Sequence, residues 1–374
     1  MLLYVENVLK KNPLTEKNIN ETILTIDLKK LKHNFNFFKN KLNSNTKIIA
    51  VVKAFGYGHG DVKISKALEK MGVYAFWVAD FEEGVVLRKS GLKSKIIVAN
   101  PGLKSYEKII KYNLDVVVYN NKLLNLYCKN KQAINIHIKF NTGMNRYGFN
   151  KEDVKRVIST IQKNKHITTI SICSHLSCSE ILKNNDFTKQ QLLNFNLIAY
   201  EFNSYYKKPI LKHILNSNGV IYFNKNQMDM VRIGIGLYGN AFEKKLLPIS
   251  SLRSVIAQNH IVSKGDYIGY GANYIAKKNM VISIVPVGYA DGINRKLGNG
   301  VGKIAVKNMA CSIVGEISMD SLAVDTTEIQ TEEGDSVEIF GENISVNEIA
   351  QSINTIPYEI YATLNRRLKR VYTY

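Results

Sequence analysis

Five residues of this chain carry groups that could do chemistry together: Lys53, Arg146, His175, Ser217 and Arg232. Each stands within or just past a short apolar run, in KIIAVVK, INIHIKFNTGMNR, ISICSHL, HILNS and MVRIG. A lysine in a low-dielectric site has a depressed pKa, so it offers the neutral amine that forms an imine with an aldehyde. An arginine only donates hydrogen bonds. Aimed at a pyridine nitrogen, Arg232 would keep that nitrogen unprotonated. Gly234 and Gly236, which follow it, expose N–H groups able to cradle a phosphate. His175 has no second histidine or carboxylate at ligand spacing, so no metal site is expected. Beside Arg232 it would stay neutral and relay hydrogen bonds. Tyr270, between glycines in GDYIGYGANY, could act as a base if a cation or donor brought its pKa down from about 10. Singly, each has a plainer use, such as a lysine snorkelling at a rim or a packed histidine.

These groups need a scaffold that brings strand ends together. Eight apolar runs recur at 47–53, 75–79, 95–99, 115–119, 134–140, 170–176, 213–217 and 230–234. Most are separated by segments of helical period. In DVKISKALEKMG, Ile64, Ala67, Leu68 and Met71 share a face, and Gly72 is a stop signal. The alternation predicts a parallel (β/α)8 barrel of TIM type, whose reactive groups sit at the C-terminal strand ends. A doubly wound open sheet is the alternative; no early GxGxxG follows the first strand. ETILTIDL (21–28) is a further strand, and the next segment is an amphipathic helix with Leu28, Leu31, Phe35 and Phe38 on one stripe. After about residue 250, β-branched runs separated by glycine and asparagine predict a mostly β C-terminal domain. The expected organisation is a polar extension at 1–20, the barrel at 21–248 and the β domain at 249–374.

Lys+Arg total 51 against Asp+Glu 31, a net charge of +20. The lysines are scattered rather than clustered with aromatics, so no nucleic-acid partner is expected. No run of about 18 apolar residues is present, so no membrane span is expected. Cys128, Cys173, Cys178 and Cys311 form no CxxC pair, the pattern of reduced thiols in a cytoplasmic protein.

Nine motifs occur in one order: AVVKAFGYGHG, KFNTGMNRYGF, SHLSCSE, NSNG, VRIGIGLYG, GYGANY, PVGYADGINR, GEISMDSLAVD and RRLKRVY. Together, from about residue 21 to the C-terminus, they resemble the alanine racemase family. The resemblance implies pyridoxal 5′-phosphate as cofactor, alanine as substrate and a head-to-tail homodimer. Lys53 then looks like the lysine that binds the cofactor and serves as one acid/base, and Tyr270 like the opposite base, supplied by the other subunit. Tyr57, Ser217, Gly234, Ile235 and Tyr358 look like the phosphate contacts, and Arg232 like the pyridine-nitrogen partner. His175 would link Arg232 to the partner's Tyr270. Arg146 and the Met319 backbone look like substrate-carboxylate contacts. Lys139 matches a position carbamylated in some members, and Tyr289 one near the substrate's access path. His59 is read as a structural residue of the lysine turn.

Three positions depart from the family pattern. Ser318 stands where many members have cysteine, Glu316 where arginine is frequent, and Phe55 where asparagine is common. None removes a proposed base. Two related cofactor-binding readings fit less well. A decarboxylase of similar build would have a catalytic cysteine in the β domain and a glycine-run phosphate loop, and a barrel-only carrier would lack the second domain. The third alternative, a basic nucleic-acid binder, would show salt-dependent DNA retention.

Overall fold

The structure is a computed structural model describing residues 20–181, 185–241 and 243–374. The extension expected over 1–20 therefore lies outside the described residues, Asn20 apart. The chain forms two compact units. Among the described residues, one comprises 20–25, Ser251–Ser345 and Asn365–Val371, and the other Ile26–Ser250, Val346–Leu364 and Tyr372–Tyr374.

Strand β1 (Ile23–Asp27) leads into the helix Leu28–Lys41. The Asp27 carboxylate caps that helix by accepting from the N–H groups of Lys29 and Lys30. Leu28, Leu31, Phe35 and Phe38 are buried, as the stripe required. Eight parallel strands follow: β2 (Lys47–Val51), β3 (Ala75–Val78), β4 (Lys95–Val98), β5 (Asp115–Val118), β6 (Ile134–Lys139), β7 (Ile167–Cys173), β8 (Leu211–His213) and β9 (Met230–Ile233). Their order is β8-β7-β6-β5-β4-β3-β2-β9. The Arg232 N–H donates to Leu215 O just beyond β8 at 3.0 Å, which joins the two ends of that order into a near-barrel. β7 and β8 begin a few residues earlier than their apolar runs suggest. The last connection, too short in sequence for a clear helix, holds a six-residue one, Ser217–Tyr222. On the helix Asp61–Lys70 the buried face is Asp61, Ile64, Ser65 and Leu68, so the apolar face expected from Ile64, Ala67, Leu68 and Met71 is rotated by part of a turn.

The other unit carries β10 (Ser250–Val255), β11 (Gln258–Val262), β12 (Tyr267–Ile268), β13 (Tyr274–Ile275), β14 (Met280–Val285), β15 (Lys303–Val306), β16 (Met309–Val314), β17 (Leu322–Asp325), β18 (Ser336–Phe340) and β19 (Lys369–Thr373). Its main sheet runs β11-β14-β17-β16-β15-β18-β10-β1-β19. A core of Val262, Ile268, Ala276, Met280, Ile282 and Val314 lies on one part of it. The helices Val346–Ser352 and Pro357–Ala362 group with the barrel although they follow the β strands in sequence. The second packs its buried Tyr361 against His59 and donates order to the lysine turn, because Tyr361 O lies where a Gly58 side chain would begin.

Candidate active site

Besides Lys139, nine of the singled-out residues line a single cavity of about 690 Å³ in the barrel unit: Lys53, Tyr57, Arg146, His175, Ser217, Arg232, Gly234, Ile235 and Tyr358. That size suits a small ligand with a cofactor. Lys139, Asp80 and Glu180 also line it. Four cations against two carboxylates make the cavity a place for anions.

Lys53 lies two residues past Val51, the end of the first barrel strand, and opens a turn of unusual backbone. Ala54, Phe55, Gly56, Tyr57 and Gly58 all have positive φ, from 52° to 75°. Left-handed backbone costs a non-glycine residue roughly 1–2 kcal/mol, so something must hold the turn. Glu83 does so. One of its carboxylate oxygens accepts from Ala54 N at 2.6 Å and the other from Ala79 N at 2.7 Å. At Gly58 only glycine fits, since a Cβ would sit 2.0 Å from Tyr361 O. His59 is fully buried, with its ring nitrogens on Gly56 O and Ser250 Oγ and its face on Tyr238. Burial and the Arg146 cation lower the pKa of Lys53, against a smaller opposing effect of Glu83. Glu83→Ala should therefore lower stability by about 1–3 kcal/mol, the scale of hydrogen bonds to a charged acceptor. Thermal melting checks this.

Behind the turn, Tyr57 stacks on Tyr238 with centroids 4.7 Å apart and tilts toward Tyr358 at 5.9 Å. Burial drives its phenol far above the ordinary range, so Tyr57 serves as a neutral hydrogen-bonding group. Ser217 Oγ accepts from the N–H groups of Gly234 at 3.1 Å and Gly236 at 3.3 Å. With both lone pairs engaged, this hydroxyl has its proton left to offer, which matches an anion. A Cβ at Gly234 would meet Tyr57 Oη at 2.6 Å. The missing side chain thus leaves a notch between Tyr57, Ser217 and the glycine backbone.

Arg232 is almost wholly buried and donates to His213 Nδ1, Ser174 O (2.6 Å), His175 Nδ1 (3.0 Å) and Ile214 O (3.2 Å). All four acceptors are taken by Nη1 and Nη2, and Nε takes part in none of these bonds. Burial pulls the guanidinium down to about 10, so it stays protonated at neutral pH. Burial and then Arg232 hold His175 and His213 well below the ordinary imidazole range. Since arginine only donates, both rings accept through Nδ1, and both carry their proton on Nε2.

Lys139 is brought down to about 8 by burial, with Arg232, Arg146 and Lys53 adding to the fall and Cys173 opposing it. A lysine whose folded pKa lies below its unfolded value of 10.5 binds its proton more weakly when folded. Its cost is full below about pH 8 and relieved as pH climbs to 10.5. Lys139→Met should raise the melting temperature at pH 7 in bicarbonate-free buffer, and the gain should shrink toward pH 10.5.

Tyr270 and Met319 belong to the other unit and do not join this cavity's lining. Tyr270 is 72% exposed and Met319 53%. Tyr270 sits in a turn where Gly269, Gly271 and Ala272 have positive φ. Glu316 braces that turn, accepting from Asn273, Asn299 and Arg295. Sequence reasoning missed Glu83 and His213. Glu83 had a signal, since Asp80 and Glu83 have capping-box spacing at a strand-to-helix step; His213 had none beyond its place in HILNS.

The residues 26–241 match the family model "Alanine racemase, N-terminal domain" and 249–372 match "Alanine racemase, C-terminal domain". The chain is 34% identical to alanine racemase 1 of Caldanaerobacter subterraneus subsp. tengcongensis, over 95% of this chain and 96% of that one. It is 33% identical to alanine racemase 2 of Bacillus subtilis, over 94% of each. Among solved structures, the alanine racemase of Clostridium difficile 630 superposes with a TM-score of 0.88 at 30% identity, covering 96% and 97%. That of Bartonella henselae, which holds covalently bound pyridoxal phosphate, gives 0.85 at 27%, covering 94% and 99%.

Proposed function

The chain belongs to the alanine racemase family, and from that premise we propose that it is a pyridoxal 5′-phosphate-dependent isomerase interconverting L-alanine and D-alanine. The observation that carries this reading is the meeting of a burial-activated lysine, a buried arginine and an anion notch around one cavity. The residues present fit the cofactor. The notch at Gly234 suits a phosphate, held by Tyr57, Ser217, Tyr358 and the backbone of Gly234 and Ile235. Lys53 would hold the cofactor covalently, and Arg232 would face its ring nitrogen. When bound, the cofactor supplies the electron sink for a carbanion at the amino acid's α-carbon.

The chain's own groups account for the rest. Arg232 stays protonated and only donates, so toward a ring nitrogen it would offer its Nε hydrogen bond while keeping the proton. Arg146 offers its guanidinium to a substrate carboxylate. Racemisation removes a proton from one face of the α-carbon and returns one to the other, so it needs two bases. Lys53 supplies one at a lowered pKa. Tyr270, with Met319 beside the carboxylate, would be supplied by a second copy of the chain in a head-to-tail homodimer. The high exposure of both residues supports that role. His175, neutral with its proton on Nε2, would connect Arg232 to the partner's tyrosine.

Four free cysteines fit a reducing cytoplasm. No helix among the described residues is long and apolar enough to cross a membrane. D-Alanine made there would feed peptidoglycan synthesis. The barrel at 21–248 would carry the cofactor and the segment 249–374 the second base. Borohydride reduction of the cofactor-loaded protein followed by peptide mapping tests the assignment. The label should fall on Lys53; a label on another lysine would reject it.

A further inference from the structure

The buried polar contacts do not stop at His213. Its Nε2 lies 3.2 Å from Ser171 Oγ, and Ser171 Oγ lies 2.7 Å from His137 Nδ1. His137 Nε2 then faces Asp115 Oδ2 at 3.5 Å, and Asn135 Nδ2 donates to Asp115 Oδ1 at 3.0 Å. Arg232, His213, Ser171, His137 and Asp115 sit on β9, β8, β7, β6 and β5, one per strand, and each is at most 5% exposed. The path therefore crosses the inside of the barrel.

Its proton order follows from one end. Arg232 donates to His213 Nδ1, so His213 donates from Nε2 to Ser171. Ser171, having accepted there, gives its own proton to His137 Nδ1. His137 Nε2 lies 3.5 Å from Asp115 Oδ2 but makes no hydrogen bond to it, so the hydrogen-bonded path ends at His137. The three hydrogen-bonded links, from Arg232 to His213, Ser171 and His137, run the same way, and such chains polarise one another. A backbone feature sets up the middle link. The β6–β7 register pairs Ile136 with Thr169 but His137 with Ser171, so one residue is bulged out at that point. Bulges re-aim side chains near functional sites. Without this one, Ser171 would not stand opposite His137.

Among the described residues no carboxylate forms an ion pair with Arg232. Its orientation is set by neutral groups, and a neutral imidazole holds a guanidinium only as well as its own ring is held. We propose that Ser171 and His137 are positioning residues that lock the His213 ring and thereby hold Arg232 with Nε as its remaining donor. They act through Arg232 and touch no ligand.

The test uses [15N]histidine-labelled protein without cofactor, at pH 8. The parent should show His213 and His137 each as the Nε2–H tautomer. Ser171→Ala removes the donor to His137 Nδ1, so His137 should become a mixture of tautomers, and Ser171→Thr should restore the single form. In the loaded enzyme, Ser171→Ala should lower kcat about tenfold, the scale seen for outer-shell partners, with KM for L-alanine within about twofold, and Ser171→Thr should recover most of the loss. Should Ser171→Ala be unstable, His137→Gln, whose amide oxygen can accept from Ser171, and His137→Leu carry the same contrast in kcat. A His213 proton on Nδ1 in the parent would overturn the proposal. So would a mixed His137 with unchanged kcat, or an unmixed His137. The kcat expectation rests on Arg232 meeting the cofactor, but the tautomers do not. Labelling away from Lys53 with the tautomers as assigned would reject the cofactor reading alone.

Discussion

Lys53→Ala should abolish racemisation, with kcat/KM falling by more than about 10⁴-fold, because one side chain is asked both to hold the cofactor and to move a proton. The fold should survive the change. Lys53 is a buried cation with a lowered pKa, so its removal takes away a desolvation cost rather than a stabilising contact. The turn that carries it is held by the Ala54 N–H on Glu83 and by Gly58 against Tyr361, neither of which uses the lysine side chain. Circular dichroism and thermal melting should therefore match the parent while D-alanine production disappears. Activity above about one per cent of the parent would place the chemistry at another residue.

The second large effect concerns Tyr270. Tyr270→Phe should lower racemisation by about 10²–10⁴-fold, the range a positioned acid/base supplies. The loss should be one-sided at the level of proton exchange. With one base left, the variant should still wash the α-proton out of one enantiomer in deuterated water, but not the other. Washout from both enantiomers would show that a single base serves both faces. The shared-site reading adds a sharper expectation. Lys53→Ala and Tyr270→Ala protomers are each inactive, yet a mixed dimer has one site with both residues intact. Mixing them should restore part of the parental activity. Failure to do so with subunit exchange confirmed would place both bases on one chain.

Much of this architecture was legible in the sequence for a physical reason. A parallel barrel buries its strands on both sides, so each writes itself as a short apolar run, and the reactive positions are the polar residues that end those runs. Lys53, His175, Ser217 and Arg232 could be read that way. The relay inside the barrel could not. Whether His137 meets Ser171 depends on a one-residue bulge between β6 and β7, and nothing in INIHIK or ITTISIC marks where an extra residue is looped out. Glu83 hid for another reason. Its capping-box spacing suggests a bond to its own helix, yet its oxygens reach Ala54 and Ala79 instead. The glycines around Tyr57 signalled a close turn, but that Ala54, Phe55 and Tyr57 would share the left-handed backbone was not readable from residues that disfavour it. Ser318 and Glu316, departures from the family pattern, turn out to lie in local hydrogen-bond networks. Ser318 Oγ donates to Ser321 O, and Glu316 braces the Tyr270 turn.

The central claim is that this chain racemises alanine at the Lys53 site, and one measurement bears on it most directly. Purified protein is incubated with pyridoxal 5′-phosphate and L-alanine, and the products are resolved by chiral chromatography. The account predicts equal amounts of L- and D-alanine at equilibrium, approached at the same composition from either enantiomer, and none of this with Lys53→Ala. L-Alanine that persists unchanged, or is converted to ethylamine and carbon dioxide, in protein shown to hold the cofactor would contradict it.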